Sequence, residues 1–200
     1  MIHYCVFLVH VICYWIMVTL YDKDVPKDDH NTAIMSSLKN QIYITFPANY
    51  IFFLYYPISY DNVLYSTLSM PFLAVCSDVY FYITHRPLHS KWLYKYHKHH
   101  HVGEICVAKS LDADAIEHLV GNLGSFVSGV MILWYFGFIM NIYILTTWVG
   151  IVTANTCISH SNYKCLMDKG VHYNHHKYRQ CNYGFGFYIM DRIMGTYKCE

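Results

Sequence analysis

From Leu119 to Ser159 the chain runs 41 residues without an Asp, Glu, Lys or Arg. A helix of that length reaches about 60 Å, roughly two crossings of a 30 Å hydrocarbon core. Gly137 and Asn141 lie near the middle, where a turn belongs, so the stretch predicts a hairpin that returns to the side it left. His101 and His160, which flank it, are then expected on one side of the membrane.

A second run, Asn40 to Ser77, is broken only by Asp61 and predicts another hairpin, with helices near 41–60 and 63–84. A third apolar segment, Ile2 to Leu20, has no Lys or Arg before it and no small-x-small cleavage site after it. It reads as a retained anchor and not as a signal peptide. Charged residues make up only 14% of the chain, against about a quarter in soluble domains, which agrees with a membrane protein. The net charge of +1 argues against a nucleic-acid partner. Basic residues, among them Lys23, Lys39, Arg86, Lys91, Lys177 and Arg192, fall on one side of this scheme, which the positive-inside rule makes cytosolic. The eight cysteines are scattered with no C-x2-C pair and read as reduced, structural residues. The expectation is an all-α integral membrane protein with four or five transmembrane helices and a cytosolic histidine-rich helical cap. It forms a single domain over 1–200, with anchor helices in 1–77 and the histidine region in 78–200.

Nine of the fourteen histidines fall in boxes on that cytosolic side. His85 and His89 form H-x3-H; His97, His100 and His101 form H-x2-H-H; His172, His175 and His176 repeat it; His160 stands where the hairpin re-emerges. Helical neighbours at i, i+3 and i+4 share a face, so two imidazoles so spaced can bind one metal. Adjacent histidines point about 100° apart, so one H-x2-H-H box can serve two neighbouring ions. One such box alone could equally be a solvated basic helix face. Two of them with an H-x3-H, all on one side, point to a two-metal centre, since nine imidazoles far exceed the three or four ligands of one tetrahedral site. His3, His10, His30, His99 and His118 lie outside the pattern and read as surface, interfacial or supporting residues. The "GFGF" run, Gly184 to Phe187, lacks the context of a nucleotide loop and reads as a tight turn.

"DVYFYITHRPLH", "YHKHHH", "AIEHL", "HSNY" and "HYNHHKYRQCNYGFGFYIMDRIMGTY", taken in order, resemble the signature of the fatty acid hydroxylase/sterol desaturase superfamily over about Asp78 to Tyr197. The resemblance implies that His85, His89, His97, His100, His101, His160, His172, His175 and His176 ligate two iron ions. Zinc is an alternative that the boxes themselves do not distinguish. It further implies dioxygen as oxidant and electrons from NAD(P)H through cytochrome b5 and its reductase. The implied activity is oxidation of a membrane lipid, methylsterol oxidase-like or fatty acyl hydroxylation, in a multi-pass protein of the endoplasmic reticulum. A sterol desaturase is the alternative within the family, and a catalytically inactive metal-binding membrane protein the alternative outside it. Asp78 and Glu117 match acidic positions that can steady imidazole N–H groups.

The chain departs from the pattern at three places. Asp114-Ala115 stands where many relatives carry His-Pro, which makes Asp114 a further candidate at or beside the metal. Met190 replaces a usual Trp. Pro87 sits inside H-x3-H and disfavours helical geometry at Arg86, so a kink is expected between His85 and His89.

Overall fold

The computed structural model describes residues 3–161, 163 and 170–198; Lys164, Cys165 and Lys169 lie outside them, as does Cys199. Helix α1 (His3–Tyr21) carries no charged residue. Its Leu8, Ile12, Ile16 and Leu20, spaced four apart, form an outward apolar stripe, each about half exposed. The opposite face is anchored: Tyr14, fully buried, donates its hydroxyl to Ala108 O at 2.8 Å. Asp22, just past the helix, accepts the backbone N–H groups of Val107 and Ala108, both at 2.8 Å.

Helix α2 (Lys27–Asn40) opens with Asp28 and Asp29 and closes with Lys39, charges that suit the helix dipole at both ends. It continues without a break through a π-helical turn, Gln41–Thr45, into α3 (Phe46–Tyr55). The π-turn is closed by Phe46 N–H to Gln41 O, immediately ahead of Pro47, which has no N–H and crowds the carbonyl four residues back. Helix α3 ends at Tyr55, short of the expected 60, because Pro57 pushes the residue before it, Tyr56, to extended backbone at φ −79°, ψ 120°. Helix α4 (Val63–Leu68) starts where expected, after Asn62 at φ +58°, and α5 (Met70–His85) follows within two residues.

The short α6 (Tyr94–His97) leads towards α7 (Gly124–Tyr135), which is preceded by a second π-helical segment, Glu117–Leu123. The turn of the charge-free hairpin falls as expected. Gly137 takes φ +84°, open to glycine alone without strain, and Asn141 caps α8 (Ile142–Ser159) by accepting from Tyr143 N and Ile144 N. Asn141 Nδ2 donates to Tyr60 O at 2.6 Å and Ile142 N to Ser59 O at 2.8 Å, so the tips of both hairpins are tied together. Helices α9 (Val171–Tyr178) and α10 (Ile189–Ile193) complete the fold.

Helix α1 packs along α8, and α5 along α7. The second pair approaches closely through glycine: a Cβ at Gly124 would lie 2.7 Å from the Tyr80 hydroxyl, and one at Gly129 2.9 Å from Leu73 Cδ2. Among the described residues every element is helical, and the sole strand-like feature is the isolated bridge Ser59–Asn141. Two helices, in the windows Tyr4–Tyr21 and Ile142–Ser159, are long and apolar enough to cross a membrane. The other elements are shorter or interrupted, α3 at 10 residues and α7 at 12. Cys5, Cys13, Cys76, Cys106, Cys157 and Cys181 remain thiols.

Candidate metal centre

All nine box histidines converge. His85 is the last residue of α5, and His89 closes a 3-10 turn, Arg86–His89. Arg86 stays in the right-handed helical region at φ −54°, ψ −43°, so the helix tightens at Pro87 where a kink was expected. His97 ends α6, and His100 and His101 sit in the 3-10 turn that follows. His160 caps the C-terminus of α8, while α9 carries His172, His175 and His176.

They separate into two groups, in each of which the candidate ligand atoms lie within 4.8 Å of one another: His85, His89, His97, His101 and His175, and His100, His160, His172 and His176. Each H-x2-H-H box is split between the groups. His100 and His176 turn one way and their neighbours His101 and His175 the other, as the step between successive residues requires, about 100° in α9 and about 120° in the 3-10 turn.

Backbone carbonyls fix which nitrogen of several rings carries the proton. A carbonyl only accepts, so His85 Nδ1–H donates to Tyr183 O at 2.8 Å and His175 Nδ1–H to Cys181 O at 2.7 Å. In the second group His100 Nδ1–H donates to Asp112 O at 3.0 Å, and His160 Nδ1–H to Thr156 O at 2.9 Å. The Nε2 atoms of His100 and His160 are then both bare lone pairs, yet they face each other at 3.2 Å. No hydrogen bond joins two acceptors, whereas one cation bound by both removes the repulsion. Two nitrogens each about 2.0–2.1 Å from one ion, at right-angled to tetrahedral geometry, lie about 2.9–3.4 Å apart. The 3.2 Å separation here and the 3.0 Å between His85 and His97 Nε2 fit that range.

Both nitrogens of His172 and the Nε2 atoms of His175 and His176 are buried without a hydrogen-bond partner, a donor set that a metal would complete. Burial, reinforced by neighbouring imidazoles, pushes His100, His172, His175 and His176 well below the usual histidine range. His101 is lowered to about 3 and His160 to about 4, chiefly by burial. At neutral pH these rings are uncharged, the form that ligates metal.

The acidic candidates divide. Glu117 Oε1 lies 2.7 Å from His97 Nδ1 and steadies that ring; burial and then the nearby Asp114 and Asp112 hold its carboxyl well above its usual range. Among the described residues no hydrogen bond or ion pair joins Asp78 to a histidine. Asp78 accepts the backbone N–H groups of Phe185, at 3.1 Å, and Ile189, tying the C-terminal segment to α5. Asp114 lies in neither histidine group and accepts Ile116 N–H at 2.9 Å, capping the turn that enters the second π-segment. Asp112, which sequence reasoning missed, matters more. Its carbonyl orients His100, and its buried carboxylate is held by Lys109 Nζ at 3.2 Å and His99 Nε2 at 2.5 Å. Its only advance sign was a Lys and an Asp three residues apart beside a histidine box. The carbonyl partners Tyr183, Cys181 and Thr156 had no sign at all, because any residue carries that group.

One cavity adjoins the box histidines and a second shares a wall residue with it. A small one, of about 20 Å³, is lined by His100, His160 and His172 together with Glu117, Asn122 and Phe126 among others. A large one, of about 650 Å³, lies between α1, the first π-turn, α3, α7 and α8 and is almost wholly apolar. Phe126 lines both.

The fatty acid hydroxylase family model matches residues 70–196, which contain all nine box histidines. Two curated relatives, each named fatty acid hydroxylase domain-containing protein 2, from Macaca fascicularis and Homo sapiens, are 31% identical to this chain over 138 residues. The match takes in 64% of this chain and 38% of each relative. No solved structure matches significantly. With a match over more than half its length, the chain belongs to the fatty acid hydroxylase family.

Proposed function

We propose that this chain is an oxidoreductase that uses two iron ions and dioxygen to hydroxylate a membrane lipid, a sterol or a fatty acyl chain. The observation that carries the reading is the pair of histidine groups whose bare, buried nitrogens converge. When bound, the iron pair supplies the redox chemistry with dioxygen that an aliphatic C–H bond demands and that no acid, base or nucleophile of the chain provides.

The chain's own part is binding, orientation and exclusion of water. His85, His89, His97, His101 and His175 would hold one ion, and His100, His160, His172 and His176 the other. The carbonyls of Tyr183, Cys181, Asp112 and Thr156 keep the protons on Nδ1 and so leave Nε2 free to ligate. Burial of the second group keeps bulk water from it. Hydroxylation places one oxygen atom in the lipid and releases the other as water, consuming two electrons and two protons. NAD(P)H supplies the electrons, through cytochrome b5 and its reductase.

We place the protein in the endoplasmic reticulum with four or five crossings, the histidines facing the cytosol. Arg86, Lys91, Lys95 and Lys98, interleaved with the boxes, support that orientation. The test is lipid profiling of a host expressing the chain. A new hydroxylated lipid should accumulate with the unmutated chain and be absent with His172→Ala at equal protein level. A new double bond in its place would identify a desaturase. Unchanged lipid pools with metal bound and electron donors present would identify an inactive metal-binding protein.

A further inference from the structure

His118 stands outside the histidine boxes, yet it is fully buried and both of its ring nitrogens are engaged. The amide Nδ2 of Asn122 can only donate, so His118 Nδ1 accepts from it at 3.3 Å. The ring proton is therefore on Nε2 and is given to Thr45 Oγ1 at 2.8 Å. That bond joins the two π-helical segments described above. Thr45 is the last residue of the first, and His118 the second residue of the other. The first segment is held in turn to α1, since Gln41 Oε1 accepts Trp15 Nε1–H at 3.1 Å.

A π-turn closes its hydrogen bonds over five residues where an α-turn uses four, so it carries an extra residue and is rare by itself. Where it persists, something beyond the backbone must fix its register. Relaxation of the second segment to α-helix would shift its side chains by one position, about 100° of rotation. Glu117 would then turn away from His97. In the structure it does not: Oε1 lies 2.7 Å from His97 Nδ1, at the end of α6, while the very next residue reaches Thr45 on the first π-turn. Two neighbouring side chains thus tie one π-segment to two different elements. We propose that His118 is a positioning residue of the five-histidine group: its bond to Thr45 keeps the second π-segment in the register that sets Glu117 on His97. His118 belongs to neither histidine group. It acts at one remove, through a carboxyl that steadies one ligand of one ion. This inference rests on the two-ion centre proposed above and adds to it a residue that no box contains.

The test is cobalt(II) titration of the metal-free full chain in phosphatidylcholine nanodiscs, read from the visible absorption of the bound ion. Five- and four-histidine coordination give different spectra, so the two affinities are followed separately. Thr45→Val, which removes the acceptor at little cost in volume, should weaken the five-histidine ion about tenfold and leave the other within about twofold. Thr45→Ser restores the oxygen and should restore the affinity. His118→Leu should weaken the same ion alike, and stands in if Thr45→Val does not fold. The decisive measurement is a double variant. Because the bond acts through Glu117, Thr45→Val added to Glu117→Gln should weaken the ion no further than Glu117→Gln alone. A general loosening of the fold would add its full effect instead, and that additivity overturns the proposal. An affinity indifferent to Thr45→Val, or equal weakening of both ions, overturns it as well; in each of these cases the two-ion centre stands. A chain that takes up no cobalt overturns the centre and this inference together.

Discussion

The two histidine groups are cut from the same boxes yet live in different surroundings. The four-histidine group is buried throughout, and three of its members line the small cavity that shares Phe126 with the lipid-sized one. The five-histidine group has a carboxylate, Glu117, on His97, and its His89 is only partly buried. One group thus lies on a small buried cavity that shares the Phe126 wall with an apolar chamber, and the other reaches towards the surface. The difference teaches that a repeated motif does not imply equivalent sites: the split of each H-x2-H-H box supplies two donor sets, and the surrounding helices decide what each set meets.

The comparison breaks or holds first on metal content. His172→Ala should remove about one ion per chain and His175→Ala about one other, measured by elemental analysis with unfolding monitored in parallel. Loss of both ions from either substitution would merge the groups into a single inseparable centre. Acid should act next, and on both groups. His160 and His101, lowered to about 4 and 3, stay neutral in the folded chain at pH values where an unfolded histidine, with its ordinary value of 6.5, takes up a proton. The metal-free fold should therefore lose stability as pH falls below about 6.5, increasingly down towards 4, and be indifferent above it. Thermal unfolding across that range checks the sign.

A smaller, selective effect is expected of Glu117→Gln, which keeps the shape but replaces the carboxyl behind His97 with an amide. Metal affinity should fall about 10–100-fold in the five-histidine group and little in the other. Equal weakening of both would erase the distinction. Smallest in its effect on metal, Asn141→Ala removes both a helix cap and the bond to Tyr60 O at the far end of α8; it should cost about 2–4 kcal/mol of stability and leave the metal content of both groups untouched.

The hairpin was legible because charge is so costly in hydrocarbon that its absence over Leu119–Ser159 marks the segment, and Gly137 and Asn141 punctuate it. The division of the boxes was legible because helical geometry alone turns His100 from His101 and His175 from His176. Continuous helices over 41–60 and 63–84 were not to be had from hydropathy. The stop at Tyr55 ahead of Pro57, the π-turn before Pro47 and the break at Ser69 depend on backbone geometry that an apolar run conceals. Nor could spacing tell Asp78, Asp114 and Glu117 apart. Their roles depend on which N–H groups the tertiary fold brings to them, from one ring at Glu117 to the backbone of a segment 107 residues away at Asp78.

That last contact bears on how the protein is made. Asp78 must wait for Phe185 and Ile189, and until they arrive the segment that follows α9, which carries three of the nine histidines, lacks the clasp that ties it to α5. A ribosome synthesises the two ends of this clasp several seconds apart, at about 5–20 residues per second. During that interval His85, His89, His97, His100 and His101 are already translated but have no closed site to enter. Closure of both histidine groups is therefore a late event, coupled to arrival of the segment around Phe185 and Ile189 and not to formation of the first helices.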